Sequence, residues 1–227
     1  MINKFDHKYI KINYKNILDA YCNGIFPMAE NIDSSDVFWV KPKNRGVINP
    51  YKINIRRKLK RFINTEPFKI KINTDFIGVI EACSEITNGR EDTWINPSIR
   101  DVFIELHYKG YAHSVECYFN DDLVGGLYGV AIGGMFFGES MFSRMTNASK
   151  VALLHLIDRL KVGNFVLLDT QFITEHLKTM GAYEIDQESF LIILKKSLQI
   201  NSDFYKMSKS GELDINLYPH SNNYKEN

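Results

Sequence analysis

The stretch Ala112–Ser143, AHSVECYFNDDLVGGLYGVAIGGMFFGESMFS, decides the fold. AHSVECYF alternates, NDD supplies a hairpin turn, LVGGLYGVAI forms a glycine-rich strand, GG turns again and MFFGESMFS returns. Three consecutive antiparallel strands are expected. The last of them carries Glu139 among glycine, phenylalanine and methionine, where an ionised carboxylate is costly unless a structural partner or a ligand meets it. The repeated glycines do not give the GxGxxG spacing, and a strand follows them where a dinucleotide site needs a helix. Glycines in a strand mark a bulge or the close approach of a backbone or ligand.

Working outward, NASKVALLHLIDRLKVG predicts a strong helix with Asn147 as N-cap and Leu153, Leu156 and Leu160 at helical spacing. It leads into the buried strand FVLLDTQF, the short helix TEHLKTMG and the apolar segment FLIILKKSL. On the N-terminal side, NPSIRDVFIELHYKG reads as a helix with Pro97 in its first turn and Gly110 at its end, and TDFIGVIEACSEI as a helix capped by Thr74 or Asp75. FKIKI is a strand. In NIRRKLKRFI, Ile55, Leu59, Phe62 and Ile63 share one helical face while Arg57, Lys58, Lys60 and Arg61 project elsewhere. VFWVKPKNRGVINP predicts an irregular strand, and NILDAYCNGIFP a short helix with Asn16 as N-cap and Gly24 near its stop. The order of sheet, helix, strand and helix gives an α+β class. The expected division is a small basic N-terminal domain over 1–65, a catalytic domain over 66–200 and a polar tail over 201–227.

The chain has 227 residues and a net charge of +1, a total that conceals its distribution. Between Val37 and Thr65 there are nine basic residues, Lys41, Lys43, Arg45, Lys52, Arg56, Arg57, Lys58, Lys60 and Arg61, and no acidic one. Without them 19 basic residues face 27 acidic ones, so the rest of the chain carries −8. A cationic face on an anionic protein points to a polyanion such as RNA, an ordinary solvated helix being the plain alternative. The three cysteines have no CxxC pair and their odd number closes no disulfide framework, as expected of a reduced cytoplasmic protein. The N-terminal residues lack the apolar run of a signal peptide, no window is long enough to span a membrane, and no histidine or cysteine cluster calls for a metal.

Asp169 and Gln171 are two apart where an apolar strand ends, so they share one face. Such a pair can cap a helix or fix a loop, or it can orient a proton-bearing nucleophile. The expected topology brings Glu139 toward the same cleft. His113 and Cys117 share strand parity, which makes a nucleophile pair conceivable, although such residues are commonly just packed. From spacing alone, Leu153, Leu156 and Leu160 read as core.

GIFPM, DTWI, LHYKGYAHSVE, LVGGLYGVAIGGMFFGESMFSRMTNASKVALLHL and LLDTQFITEHLKTMGA resemble the ordered signature blocks of the leucyl/phenylalanyl-tRNA–protein transferase family. The resemblance runs from Tyr21 to Ala182. It implies a GNAT-like catalytic domain behind a smaller N-terminal one. It also implies transfer of leucine or phenylalanine, with some acceptance of methionine, from leucyl-tRNA or phenylalanyl-tRNA to proteins that begin with arginine or lysine, creating a degradation signal. By the same resemblance Asp169 and Gln171 are the catalytic pair, Glu139 the site glutamate and Trp94 the contact to the terminal adenosine. Leu127, Phe136, Met141, Leu153, Leu156, Leu160 and Leu168 form the amino-acid pocket, and Arg57, Lys60 and Arg61 meet the tRNA. No cofactor, no membrane and a monomer are expected. The chain departs from the family pattern at Met28, where a tryptophan is usual, and in a shortened N-terminal region. The rival readings are an acyl-CoA-dependent N-acyltransferase, for which SRMTNASK is a poor pyrophosphate loop, and a non-catalytic RNA-binding module.

Overall fold

The computed structural model describes residues 12–53, 55–65, 67–87 and 91–207, with the backbone of Asn3–Lys4. In chain order the strands are β1 (Asn3–Lys4), β2 (Phe26–Ala29), β3 (Val37–Lys41), β4 (Asn44–Ile48), β5 (Lys69–Ile72), β6 (Ala112–Phe119), β7 (Asp122–Ile132), β8 (Met135–Ser143), β9 (Leu167–Gln171) and β10 (Tyr183–Asp186). The helices are α1 (Tyr14–Cys22), α2 (Arg57–Ile63), α3 (Phe76–Ser84), α4 (Pro97–Tyr108), α5 (Ala148–Val162), α6 (Glu175–Lys178) and α7 (Gln187–Ser197). Expectations for the N-terminal residues before Ile12 and for the tail beyond Met207 lie outside the described residues, apart from β1.

The α+β class holds. Among the described residues, β1, β3 and β2 form a small antiparallel sheet, and a mixed sheet runs in the order β10-β4-β9-β8-β7-β6-β5. The expected three-strand unit is its centre: β6 pairs with β7 and β7 with β8, both antiparallel. Parallel strands need a long crossover, and α5 provides it between β8 and β9. Gly125 lets the crossover begin close to the sheet, since a Cβ there would lie 2.4 Å from the Ala148 Cβ.

Period-two alternation divides the core between the two faces of the sheet. On one face Leu127, Phe136 and Leu168 pack with Leu153, Leu156 and Leu160 of α5 and with Leu59 and Ile63 of α2. On the other, Tyr128, Phe137 and Leu167 pack with Tyr21, Val79, Phe103 and Phe190 from α1, α3, α4 and α7. The basic helix thus buries its apolar stripe while Arg57, Lys58 and Arg61 remain exposed.

Several local expectations change. VFWVKPKNRGVINP is two strands in two different sheets: β3 pairs with β1 and β2, whereas β4 lies between β10 and β9. Pro42 sits at the break, where its missing N–H cannot continue a ladder. The cap of α1 is Asn13, whose side chain accepts from the Lys15 and Asn16 amides at 2.9 and 3.1 Å, while Asn16 accepts from the Asn13 amide at 2.8 Å. This reciprocal box satisfies helix-end donors from both sides. Asp75, rather than Thr74, caps α3 through the Gly78 amide. Asn147 stands at the cap position of α5 with φ of 68° and makes no side-chain cap bond. FLIILKKSL forms most of the helix α7, with Leu198 as its C-cap. Beyond Ile200 the chain is not uniformly polar and exposed: Phe204 is buried in the face that holds α5.

Candidate active site

The parallel pairing of β8 and β9 ends at Phe137 opposite Asp169, although both strands continue. Glu139 and Gln171 occupy the parted ends. Glu139 is the extra residue of a β-bulge, because Ser140 pairs with Tyr128 and Gly138 with Gly129, leaving nothing opposite it. A bulge re-aims one side chain without ending the strand. Here the Tyr21 hydroxyl donates to Glu139 Oε1 at 2.6 Å and Gln171 Nε2 donates to the same oxygen at 2.9 Å. Glu139 Oε2 is shut away from solvent with no hydrogen-bond partner among the described residues. Burial raises the carboxyl to about 8, against the bonds from Tyr21 and Gln171, which favour the charged form. Burial, and then the neighbouring Glu139, hold the Tyr21 hydroxyl well above its ordinary range.

Asp169 faces a different partner. The guanidinium of Arg45 donates from Nε at 2.9 Å to Oδ1 and from Nη2 at 2.6 Å to Oδ2, and both side chains are 0% exposed. Arg45 also donates to the Gly24 carbonyl at 3.2 Å and lies 4.7 and 4.6 Å from the ring centres of Phe26 and Phe190. Asp169 Oδ1 accepts in addition from the Gln171 amide at 2.8 Å. That bond fixes a turn in which Gln171 has φ of 62°, a region costly for a residue with a side chain. Arg45 holds Asp169, Asp169 holds the Gln171 backbone, and the Gln171 amide holds Glu139. Gly46 permits this packing, because a Cβ there would come within 2.9 Å of the Phe172 carbonyl carbon.

The seven residues expected to form the amino-acid pocket lie together: Leu127, Phe136, Leu153, Leu156, Leu160 and Leu168 are buried in one cluster, with Met141 packed against it. Trp94 belongs to the cluster on the opposite face, as does Met28, and its carbonyl accepts from the Ala29 amide at 3.2 Å. Arg57, Lys60 and Arg61, with Asn64, line a surface cavity of about 270 Å³ on α2. His113 and Cys117 do not form a nucleophile pair. Cys117 donates to the Ala148 carbonyl at 3.3 Å and burial pushes its thiol up to about 12, while burial lowers His113 to about 3. Among the described residues no group of three or more metal-ligating side chains comes together, and no helix is long and apolar enough to cross a membrane.

Two parts of this network escaped sequence reasoning. By sequence Arg45 belongs to the cationic segment that points to a polyanion, and Tyr21 falls on the apolar face of α1 with Ile17 and Ala20. The available signal for Arg45 was its place in a strand, followed by glycine and two apolar residues.

A family profile described as leucyl/phenylalanyl-tRNA protein transferase matches residues 47–195, and one described as its N-terminal domain matches residues 12–43. A leucyl/phenylalanyl-tRNA–protein transferase of Zymomonas mobilis is 52% identical over 182 residues, covering 80% of this chain and 68% of that protein. The proteins of the same name from a Ruegeria strain and from Rhodospirillum rubrum are 48% and 47% identical, covering 83% and 86% of this chain and 88% and 92% of theirs. With β4 to α7 falling almost wholly inside the longer match and the site residues from Glu139 to Gln171 within it, the chain belongs to the leucyl/phenylalanyl-tRNA–protein transferase family.

Proposed function

We propose that the parted ends of β8 and β9 are where an aminoacyl group passes from tRNA to a protein N-terminus. The chain is an aminoacyltransferase by family, with aminoacyl-tRNA and protein as substrates. The observation that carries the site is the contact between Glu139 and Gln171 where β8 and β9 part. The finer reading is a GNAT-like catalytic unit, supported by a mixed sheet whose parallel pair separates at the site. It acts as a cytoplasmic monomer on leucyl-tRNA and phenylalanyl-tRNA, with acceptors that begin with arginine or lysine.

The donor is an ester and the nucleophile an α-amine of pKa about 7.7–8.0, so a useful neutral fraction exists without a strong base. The amine nitrogen attacks the ester carbonyl carbon, the bond to the ribose 3′ oxygen breaks and an amide forms. The 3′ oxygen takes a proton through the adjacent ribose hydroxyl, and the amine gives one up. Gln171 is not a base. Its carbonyl oxygen accepts a hydrogen bond from the amine, while its Nε2 stays on Glu139. Asp169, already engaged by Arg45, acts on the amine through the turn it fixes. Glu139, which burial keeps protonated near neutrality, ionises as a cationic acceptor arrives and supplies the negative charge that meets it. The apolar cluster accepts leucine or phenylalanine and rejects side chains branched at the β carbon by shape. One methylene is worth only about 1–3 kcal/mol, so methionine is admitted. The exposed arginines of α2 track tRNA phosphates.

The decisive assay incubates the protein with labelled leucyl-tRNA or labelled acetyl-CoA and a peptide beginning with arginine. Leucine should appear on the peptide and acetyl should not. Acetyl transfer, or tRNA binding without transfer to any peptide, would overturn the reading.

A further inference from the structure

Residues 201–207 form a strap over the end of α5. Asp203 donates its amide to the Gly163 carbonyl at 3.0 Å, and the Ser202 hydroxyl donates to the Asn164 carbonyl at 2.8 Å. Gly163 is required for this closure, since a Cβ there would lie 2.5 Å from the Asp203 carbonyl oxygen. Arg159 Nη1 donates to the carbonyls of Phe204 and Met207 at 2.9 and 2.7 Å. Asn73 donates to the Tyr205 hydroxyl at 2.8 Å. The strap is therefore tied at several points to the helix that carries Leu156 and Leu160.

What these ties hold in place is Phe204, whose side chain enters the apolar cluster and is 4% exposed as a residue. Its ring is stacked between two others. The centre of His113 lies 4.0 Å away at an interplanar angle of 14°, and that of Phe136 lies 5.7 Å away at 18°. Phe136 also meets Phe165 at 6.4 Å edge-on and packs over Gly129, where a Cβ would lie 2.4 Å from the Phe136 ring. The space that Phe204 fills is one into which Phe136 can relax, because close-packed interiors respond to a lost ring by partial collapse of their neighbours.

We propose that Phe204 is a positioning residue for substrate selection, a rear support that fixes Phe136 and thereby sets the depth of the aminoacyl slot. The proposal rests on the reading of the α5 cluster as that slot. Removing the ring lets Phe136 retreat and deepens the slot, which favours the longer aromatic side chain over leucine.

The test compares kcat/KM for leucyl-tRNA, phenylalanyl-tRNA and methionyl-tRNA in the wild type, Phe204→Ala and Phe204→Leu, all assayed below their measured melting temperatures. Phe204→Ala should raise the phenylalanyl-to-leucyl ratio about fivefold or more, within the range that one or two methylenes command in an apolar pocket. Phe204→Leu, which keeps most of the volume, should move it less and serves alone if the alanine variant does not fold. Leu156→Phe, which narrows the slot from α5, separates the two readings. If Leu156→Phe changes the ratio and neither Phe204 variant does, the slot stands and the proposal fails. If none of the three changes it, the slot reading fails and takes the proposal with it. An equal fall for all three aminoacyl-tRNAs in both Phe204 variants, with a lowered melting temperature, would make the strap purely structural.

Discussion

Replacing Arg45 with methionine keeps the apolar stem between Phe26 and Phe190 and removes the charge. The Asp169 carboxylate then loses three short donor contacts, from Nε to each oxygen and from Nη2 to Oδ2. It keeps the Gln171 amide, which cannot balance a full negative charge at 0% exposure. Removing one partner of a buried ion pair typically costs about 3–5 kcal/mol. At about 2–4 °C per kcal/mol for a chain of this size, the melting temperature should fall by about 6–20 °C. Asp169→Asn should also destabilise, because it leaves the guanidinium buried without its counter-ion. The double variant removes both charges, so the losses should fall short of additive by about 1–3 kcal/mol. Urea unfolding with unchanged m-values checks this. A loss below about 1 kcal/mol for Arg45→Met, or single losses that add within about 0.5 kcal/mol, would refute the assignment of Arg45 as the counter-ion that maintains the site.

Glu139 has a folded value near 8 against an ordinary 4.5, so the folded chain holds a proton that the unfolded chain releases between these limits. Stability should decline as pH rises through that window and level off above it, and Glu139→Gln should flatten the decline in urea titrations. The same variant should raise KM for peptides beginning with arginine more than for neutral peptides, and an equal rise for both would move Glu139 from acceptor recognition to holding the aminoacyl group. Asp169→Ala and Gln171→Ala should each lower kcat with aminoacyl-tRNA affinity nearly kept, and the double variant should lose less than the product of the two, since one acts through the other. Full activity in either single variant would remove that residue from the site. Arg57→Ala with Arg61→Ala should weaken every tRNA alike and reduce the slope of log affinity against log salt by about 2, whereas an unchanged slope would detach α2 from RNA binding.

The central hairpins were legible because alternation and turn residues are local, and local signals suffice where a strand pairs with its neighbour in sequence. The same logic found α5, the strand bearing Asp169 and Gln171, and the apolar stripe of α2. It failed where the deciding partner is remote. Arg45 and Asp169 are 124 residues apart, and Tyr21 and Glu139 are 118 apart, so nothing near either residue distinguishes a buried charge from a solvated one or a bonded tyrosine from packing. Phe204 sits among polar residues with no periodicity, and only the stacked rings of His113 and Phe136 make it core. The break at Pro42 was open to a local reading, since a proline between two short apolar runs is a reason to divide them.

The carboxylate that stood out among glycine and phenylalanine has partners for one oxygen only. Tyr21 and Gln171 share Oε1, and Oε2 is buried with no donor of its own among the described residues. Two donors lower the cost of ionisation without removing it, which is why burial still prevails and the group keeps its proton near neutrality. On the proposed reading, a cationic acceptor supplies the missing donor. Binding and ionisation are then linked, because a ligand that prefers the charged carboxylate must lower its pKa by the same free energy that the charge adds to its own affinity. Asp169 cannot serve this purpose, since Arg45 already neutralises it whether or not substrate is present. The two acids of the site thus divide their work by environment: one is permanently paired and holds a turn, and the other stays neutral until something positive arrives beside it.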